Sequence, residues 1–147
     1  RMAHGFVYLV AIIDWYSRYI LSWRLSNTLH YDFCIEALQD ALQKYSTPNI
    51  FNTDQGCQFT ANAWVHELLQ KDINISMDGR GRALDNIFIE RFWRSLKQEK
   101  IYLMDLQSVK QAHGAIADYM KFYNTKRKHQ SLDYLVPETV YNQGLII

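Results

Sequence analysis

Residues Phe6–Ile13 read Phe-Val-Tyr-Leu-Val-Ala-Ile-Ile, an unbroken apolar run rich in β-branched and aromatic side chains. Successive side chains of a strand point to opposite faces, so such a run needs cover on both sides. The run is far too short to cross a membrane. Asp14-Trp15-Tyr16-Ser17 breaks it. From Tyr19 to Leu25, Tyr19, Leu21 and Trp23 then alternate with Ile20, Ser22 and Arg24. Two strands with so short a connection form an antiparallel hairpin.

The rest supplies the covering layers. Tyr31 to Tyr45 reads as a helix with Phe33, Cys34, Ala37, Leu38, Ala41 and Leu42 on one face, and Pro48 stops it. Asn49 to Asn52 is a short strand running into Asp54. A helix from Ala61 to Gln70 is expected to turn Trp64, Leu68 and Leu69 inward, and Ile73 to Ile75 is the next strand. Met77 to Arg82 carries two glycines and is expected to be a mobile loop. Leu84 to Lys97 reads as an amphipathic helix, with Asp85 as N-cap and Leu84 and Ile89 as its hydrophobic staple. Its apolar positions are Leu84, Ile87, Phe88, Phe92 and Leu96; Asn86, Glu90, Arg94 and Lys97 form the opposite stripe. Ser108 to Tyr123 is a further helix, Tyr123 to Tyr134 a basic irregular tail, and Pro137 starts a last short helix. Hairpin, helix, strand, helix, strand and helices make an α/β domain. The aromatics Trp15, Trp23, Trp64, Phe92 and Trp93 are assigned to its core.

The net charge of the 147 residues is +1, so any affinity for nucleic acid has to be local. The candidate is the stretch Arg80–Lys128, which holds Arg80, Arg82, Arg91, Arg94, Lys97 and Arg127 among other cations. Cys34 and Cys57 lack metal or redox spacing, and a buried free thiol is expected at Cys34. The five histidines have no cysteine partners nearby, which argues against a zinc finger. With no apolar run of transmembrane length, a reduced, cytoplasmic setting and no membrane partner are expected.

Two carboxylates carry the chemistry. Asp54 stands in Thr53-Asp54-Gln55-Gly56 at a strand end, and Glu90 lies on the helix 35 intervening residues later, with Lys97 seven positions beyond. Two ionised carboxylates brought to one point normally need a cation. This pattern resembles the second half of the Asp-Asp-35-Glu signature of integrase and transposase cores. The words around it resemble one branch, the bacterial insertion-sequence transposases with a retroviral-integrase-like core. They are Tyr8–Arg18, Ser76–Gly81, Asp85-Asn86 and Tyr123–Leu132, in order over nearly the whole chain.

The resemblance implies a ribonuclease-H-like mixed sheet flanked by helices, of which four strands are recognisable here. It implies a catalytic core over residues 1–125 and a basic tail with a short helix over 126–147. It implies metal-dependent strand cleavage and strand transfer on transposon-end DNA. Asp54 and Glu90 would be catalytic ligands of Mg²⁺ or Mn²⁺, with Lys97, Asn86, Arg94, Arg80 and Arg82 at the DNA. Arg94 is equally placed to pair with Glu90. In the family a first catalytic Asp stands on a central strand in a word that precedes Arg1-Met2-Ala3-His4-Gly5. Asp14 therefore matches a turn carboxylate, and this stretch is expected to be impaired in catalysis and to associate with further copies through open strand edges. Two rival readings are a catalytically dead DNA-binding or oligomerising remnant, and a ribonuclease-H-like nuclease. The spacing to Lys97 and the Tyr123-Asn124 word favour the transposase.

Overall fold

The computed structural model describes residues 7–28, 32–45, 47–48, 50–53, 62–77, 87–101 and 108–144. Strands β1 (Tyr8–Ile13) and β2 (Ile20–Ser26) pair antiparallel, with a bulge where the register shifts after Ile12↔Ser22. Val10 and Ile12 face helix α1 (Asp32–Lys44) and helix α2 (Asn62–Gln70), in a core of Phe33, Cys34, Ala37, Leu38, Ala41, Trp64, Leu68 and Ile73. Leu9, Ala11 and Ile13 face the other way, onto helix α3 (Ile87–Glu99) and helix α4 (Val109–Thr125), where Phe92, Leu96, Ile116, Tyr119, Met120 and Tyr123 are buried. The period-two alternation thus feeds two cores, which is why the run has no polar position.

Strands β3 (Ile50–Thr53) and β4 (Asn74–Met77) pair in parallel, Ile50↔Asn74 to Thr53↔Met77, with α2 as the crossover between them. Phe51 and Ile75 pack on the α1–α2 core, and Phe51 meets Trp64 edge-on at 5.6 Å. Among the described residues the two ladders share this core without pairing to each other. Helix α5 (Pro137–Gly144) follows the tail. It docks through Tyr141, which stacks on Tyr19 at 4.9 Å and meets Tyr45 edge-on at 5.6 Å.

Several side chains depart from expectation. Leu69 is 58 % exposed rather than inward. Trp64 and Leu68, one turn apart, take the buried face of α2, and Leu69 is turned about 100° away from Leu68. Trp15 is exposed at the hairpin tip, its ring 5.6 Å from that of Phe88. The segment after α4 is not irregular. It folds as a 3₁₀ turn (Gln130–Leu132) closed by a bridge between His129 and Leu135. Cys34 is buried as expected. Cys57, the Met77–Arg82 loop beyond its first residue, and the Asp85 cap with Leu84 fall outside the described residues.

Asp14 has a structural task. Its carboxylate accepts from the Ser17 backbone N–H (2.9 Å) and the Ser17 hydroxyl (2.6 Å), closing the hairpin turn over a fully buried Ser17. Arg18 then adopts a left-handed φ of 64° and lays its guanidinium 3.9 Å above the Phe88 ring.

Asn124, near the end of α4, clamps the hairpin from the other side. Its Nδ2 donates to the Ile20 carbonyl (3.0 Å) and its Oδ1 accepts from the Ile20 N–H (2.8 Å). One side-chain amide thereby pairs both backbone groups of a buried residue, as a neighbouring strand would. Asn124→Ala is expected to leave both without a protein partner and to lower stability by about 1–3 kcal/mol. Urea denaturation reads this directly, and an unchanged midpoint would mean that water serves Ile20 equally well.

Candidate metal and nucleic-acid site

Helix α3 is placed by its apolar side. Phe92 and Leu96 are buried one turn apart against α4, and Phe92 meets Tyr123 edge-on at 4.9 Å. Burial of that stripe turns the opposite one to solvent. Glu90 in the first turn, Arg94 and Lys97 are all exposed there. The helix dipole favours this order, a carboxylate near the N-terminus and cations further along. With Trp93 and Gln98, these three line an open hollow of about 370 Å³.

The structure therefore brings together Glu90, Arg94 and Lys97. No ion pair joins Arg94 to Glu90, so the alternative that they neutralise each other is not what the described residues show. Asp54, Asn86, Arg80 and Arg82 lie outside the described residues. Strand β3 ends at Thr53, the residue before Asp54. Among the described residues no group of three or more His, Cys, Asp or Glu side chains comes together. The chemistry of Glu90 fits a hard divalent cation: an exposed carboxylate, tied by no hydrogen bond to another described residue, offers oxygen ligands. Two neighbouring cations suit an anionic ligand such as phosphate.

A second cluster lies behind the helix, in the stretch Tyr123–Leu132. Arg127 uses Nε and Nη2 to grip Glu99 at 2.8–3.2 Å, and Tyr119 donates to Glu99 Oε1 at 2.8 Å. Arg127 is thus an ion-pair partner within the fold rather than one of the free cations of the basic stretch. Arg127 holds the Glu99 carboxyl below its ordinary range; burial and Glu99 together push the Tyr119 phenol up. Burial raises Tyr123 to about 12. His129 stands edge-on to the Tyr123 ring at 4.9 Å. Burial, then the charge of Arg127, pushes its pKa down from 6.5 to about 4.

The depressed His129 value has a consequence for stability. The unfolded chain takes up this proton near pH 6.5 and the folded chain only near 4, so the contribution is complete above 6.5 and is lost as pH falls towards 4. His129 is only partly buried, so the loss is discounted to the order of 1 kcal/mol. A His129→Gln variant is expected to flatten the pH dependence of Tm between 6.5 and 4. An unchanged slope would show that His129 does not titrate differently on folding.

The fold joins a β1–β2 hairpin covered on both faces to a βαβ unit and places a charged helical stripe at the surface. It is a ribonuclease-H-like α/β fold. Two family profiles, each described as an integrase core domain, match residues 1–83 and 71–137, and the chain belongs to that family. Its relatives include the transposase for insertion sequence element IS904 of Lactococcus lactis, 34 % identical over 91 % of this chain and 54 % of that protein. The transposase InsF for insertion sequence IS3fB of Escherichia coli is 31 % identical over 99 % of this chain and 51 % of that protein. The chain thus spans about half the length of these relatives. Among solved structures, the catalytic core domain of BIV integrase superposes with a TM-score of 0.73 at 17 % identity, covering 92 % of this chain and 86 % of that one. The HTLV-2 integrase catalytic core domain in complex with magnesium gives 0.72 at 17 % identity, covering 96 % and 88 %.

Proposed function

We propose that this chain is the catalytic core of an insertion-sequence transposase and acts in metal-dependent phosphoryl transfer on the ends of transposon DNA. The observation that carries the reading is the Glu90–Arg94–Lys97 stripe, a carboxylate and two cations exposed in one hollow of an integrase-core fold. The named activity of the IS904 and IS3 relatives supports it.

Asp54 and Glu90 would hold Mg²⁺ or Mn²⁺. Bound there, the metal supplies Lewis acidity to the attacking and leaving oxygens of an in-line displacement at phosphorus. Lys97 places a point charge against a phosphate of the DNA end, and Arg94 offers a planar fork to the next. Asn86, four positions before Glu90 in the sequence, would orient the DNA end, and Arg80 and Arg82 would add phosphate contacts. Such contacts fix the register of the DNA without reading its sequence. Assembly with further copies of the chain belongs to the same reading. The HTLV-2 core is described in dimeric and trimeric forms. No helix among the described residues is long and apolar enough to cross a membrane.

The test is nicking and strand transfer on a labelled duplex carrying the element's terminal repeat. Activity is expected with Mn²⁺ or Mg²⁺, weakened where the first catalytic Asp is not supplied, and is expected to vanish with chelator. DNA binding without metal-dependent cleavage would favour the catalytically dead remnant. Cleavage of an RNA–DNA hybrid in preference to the duplex would favour the nuclease.

A further inference from the structure

Arg127 makes more contacts than a surface ion pair needs. Nε reaches both Glu99 oxygens (2.9 and 3.2 Å), Nη2 reaches Glu99 Oε2 (2.8 Å) and Ser95 Oγ (3.4 Å), and the guanidinium carbon stands 5.8 Å from the Tyr123 ring centre. Ser95 and Glu99 are one turn apart on α3. Glu99 is nine positions after Glu90, about two and a half turns, and so on the opposite side of the helix from the Glu90–Arg94–Lys97 stripe. The backbone that carries Arg127 is itself fixed. The Lys126 and Arg127 N–H groups both donate to the Phe122 carbonyl at 2.8 Å, and the His129–Leu135 bridge closes the segment beyond. Tyr119 of α4 holds Glu99 from a second direction. Pairs reached by solvent add little stability, and here both partners are, at 25 % and 38 % side-chain exposure. What this arrangement does supply is direction. It fixes the rotation and axial position of the C-terminal half of α3 from behind.

We propose that Arg127 and Glu99 are a positioning pair, which holds the Glu90–Arg94–Lys97 face of α3 in register for the reaction without touching the DNA or the metal. The inference rests on the proposed function for its activity readout and on geometry alone for its structural readout. A displacement of about 1 Å at a reacting group costs on the order of 10²-fold in rate.

The test compares the wild-type chain with Arg127→Gln, Arg127→Lys and Glu99→Gln in two measurements. The first is strand-transfer turnover beside the Kd for the DNA end. The second is hydrogen exchange of the α3 amides. Arg127→Gln is expected to lower turnover about 10²-fold, to leave Kd within about twofold, since no phosphate contact is lost, and to raise exchange in the Ser95–Glu99 turn. Arg127→Lys is expected to fail as a rescue, because an ammonium cannot span Glu99 and Ser95 as the fork does. Glu99→Gln keeps the shape of the pair and is expected to show a smaller version of the same pattern, which serves if Arg127→Gln does not fold. Unchanged α3 exchange would overturn the inference. So would a loss of DNA affinity in step with turnover, which would make Arg127 a phosphate contact. A wild-type chain with no activity would count against the proposed function, while the exchange experiment would still decide the positioning pair.

Discussion

Glu90→Gln is expected to abolish strand transfer while leaving the fold intact. Glutamine keeps the size of the side chain and removes the charge that binds a cation. A metal site of this kind contributes several kcal/mol of transition-state stabilisation. Losing about 4 kcal/mol corresponds to ~10³-fold in rate. Glu90 is exposed and makes no hydrogen bond to another described residue, so the substitution is expected to shift stability by less than about 0.5 kcal/mol. Asp54→Asn is expected to show the same loss. The double variant is expected to be scarcely worse than either single one, because the two residues act on one ion. A Glu90→Gln protein with undiminished turnover would remove Glu90 from the chemistry.

Phe92→Ala is expected to have the largest effect on stability. Phe92 is fully buried, edge-on to Tyr123 at 4.9 Å and 5.1 Å from the Trp93 ring. Truncating a buried phenylalanine costs about 3–5 kcal/mol through lost transfer energy and the cavity left behind. In a protein of this size that lowers Tm by roughly 10 °C. The damage falls on the helix that bears the candidate site, so activity near the melting range is expected to fall with it. A thermal melt checks this. A shift of only a degree or two would mean that α3 repacks easily and that its exposed stripe is not set by the core beneath it.

What was legible in the sequence is what local pattern controls. The run Phe6–Ile13 announced a strand covered on both faces, and β1 does feed two cores. The four-residue spacing of Phe88, Phe92 and Leu96 fixed which side of α3 faces solvent, and hence the company of Glu90, Arg94 and Lys97. Asp14 behaves as the turn carboxylate its position suggested. Leu69 and Trp15 misled because hydrophobicity alone does not say which of two adjacent leucines wins a helix face, or whether a turn tryptophan finds a core.

The tail was opaque for a different reason. Asn124 reaches Ile20 across 104 positions of sequence, and Arg127 reaches Glu99 across 28. No periodicity reports such contacts. Arg127, as a charge in a basic stretch, reads the same whether it meets a phosphate or a carboxylate. Only its partners separate the two.

Under the proposed function, Asp54 and Glu90 share one divalent cation. Mn²⁺ titration followed by NMR tests this most directly, because a paramagnetic ion broadens signals only in its neighbourhood. The signals of both residues are expected to broaden together at the same Mn²⁺ concentration, and Glu90→Gln is expected to weaken the broadening at Asp54. Broadening of one without the other, or at Asp54 undiminished by Glu90→Gln, would contradict it.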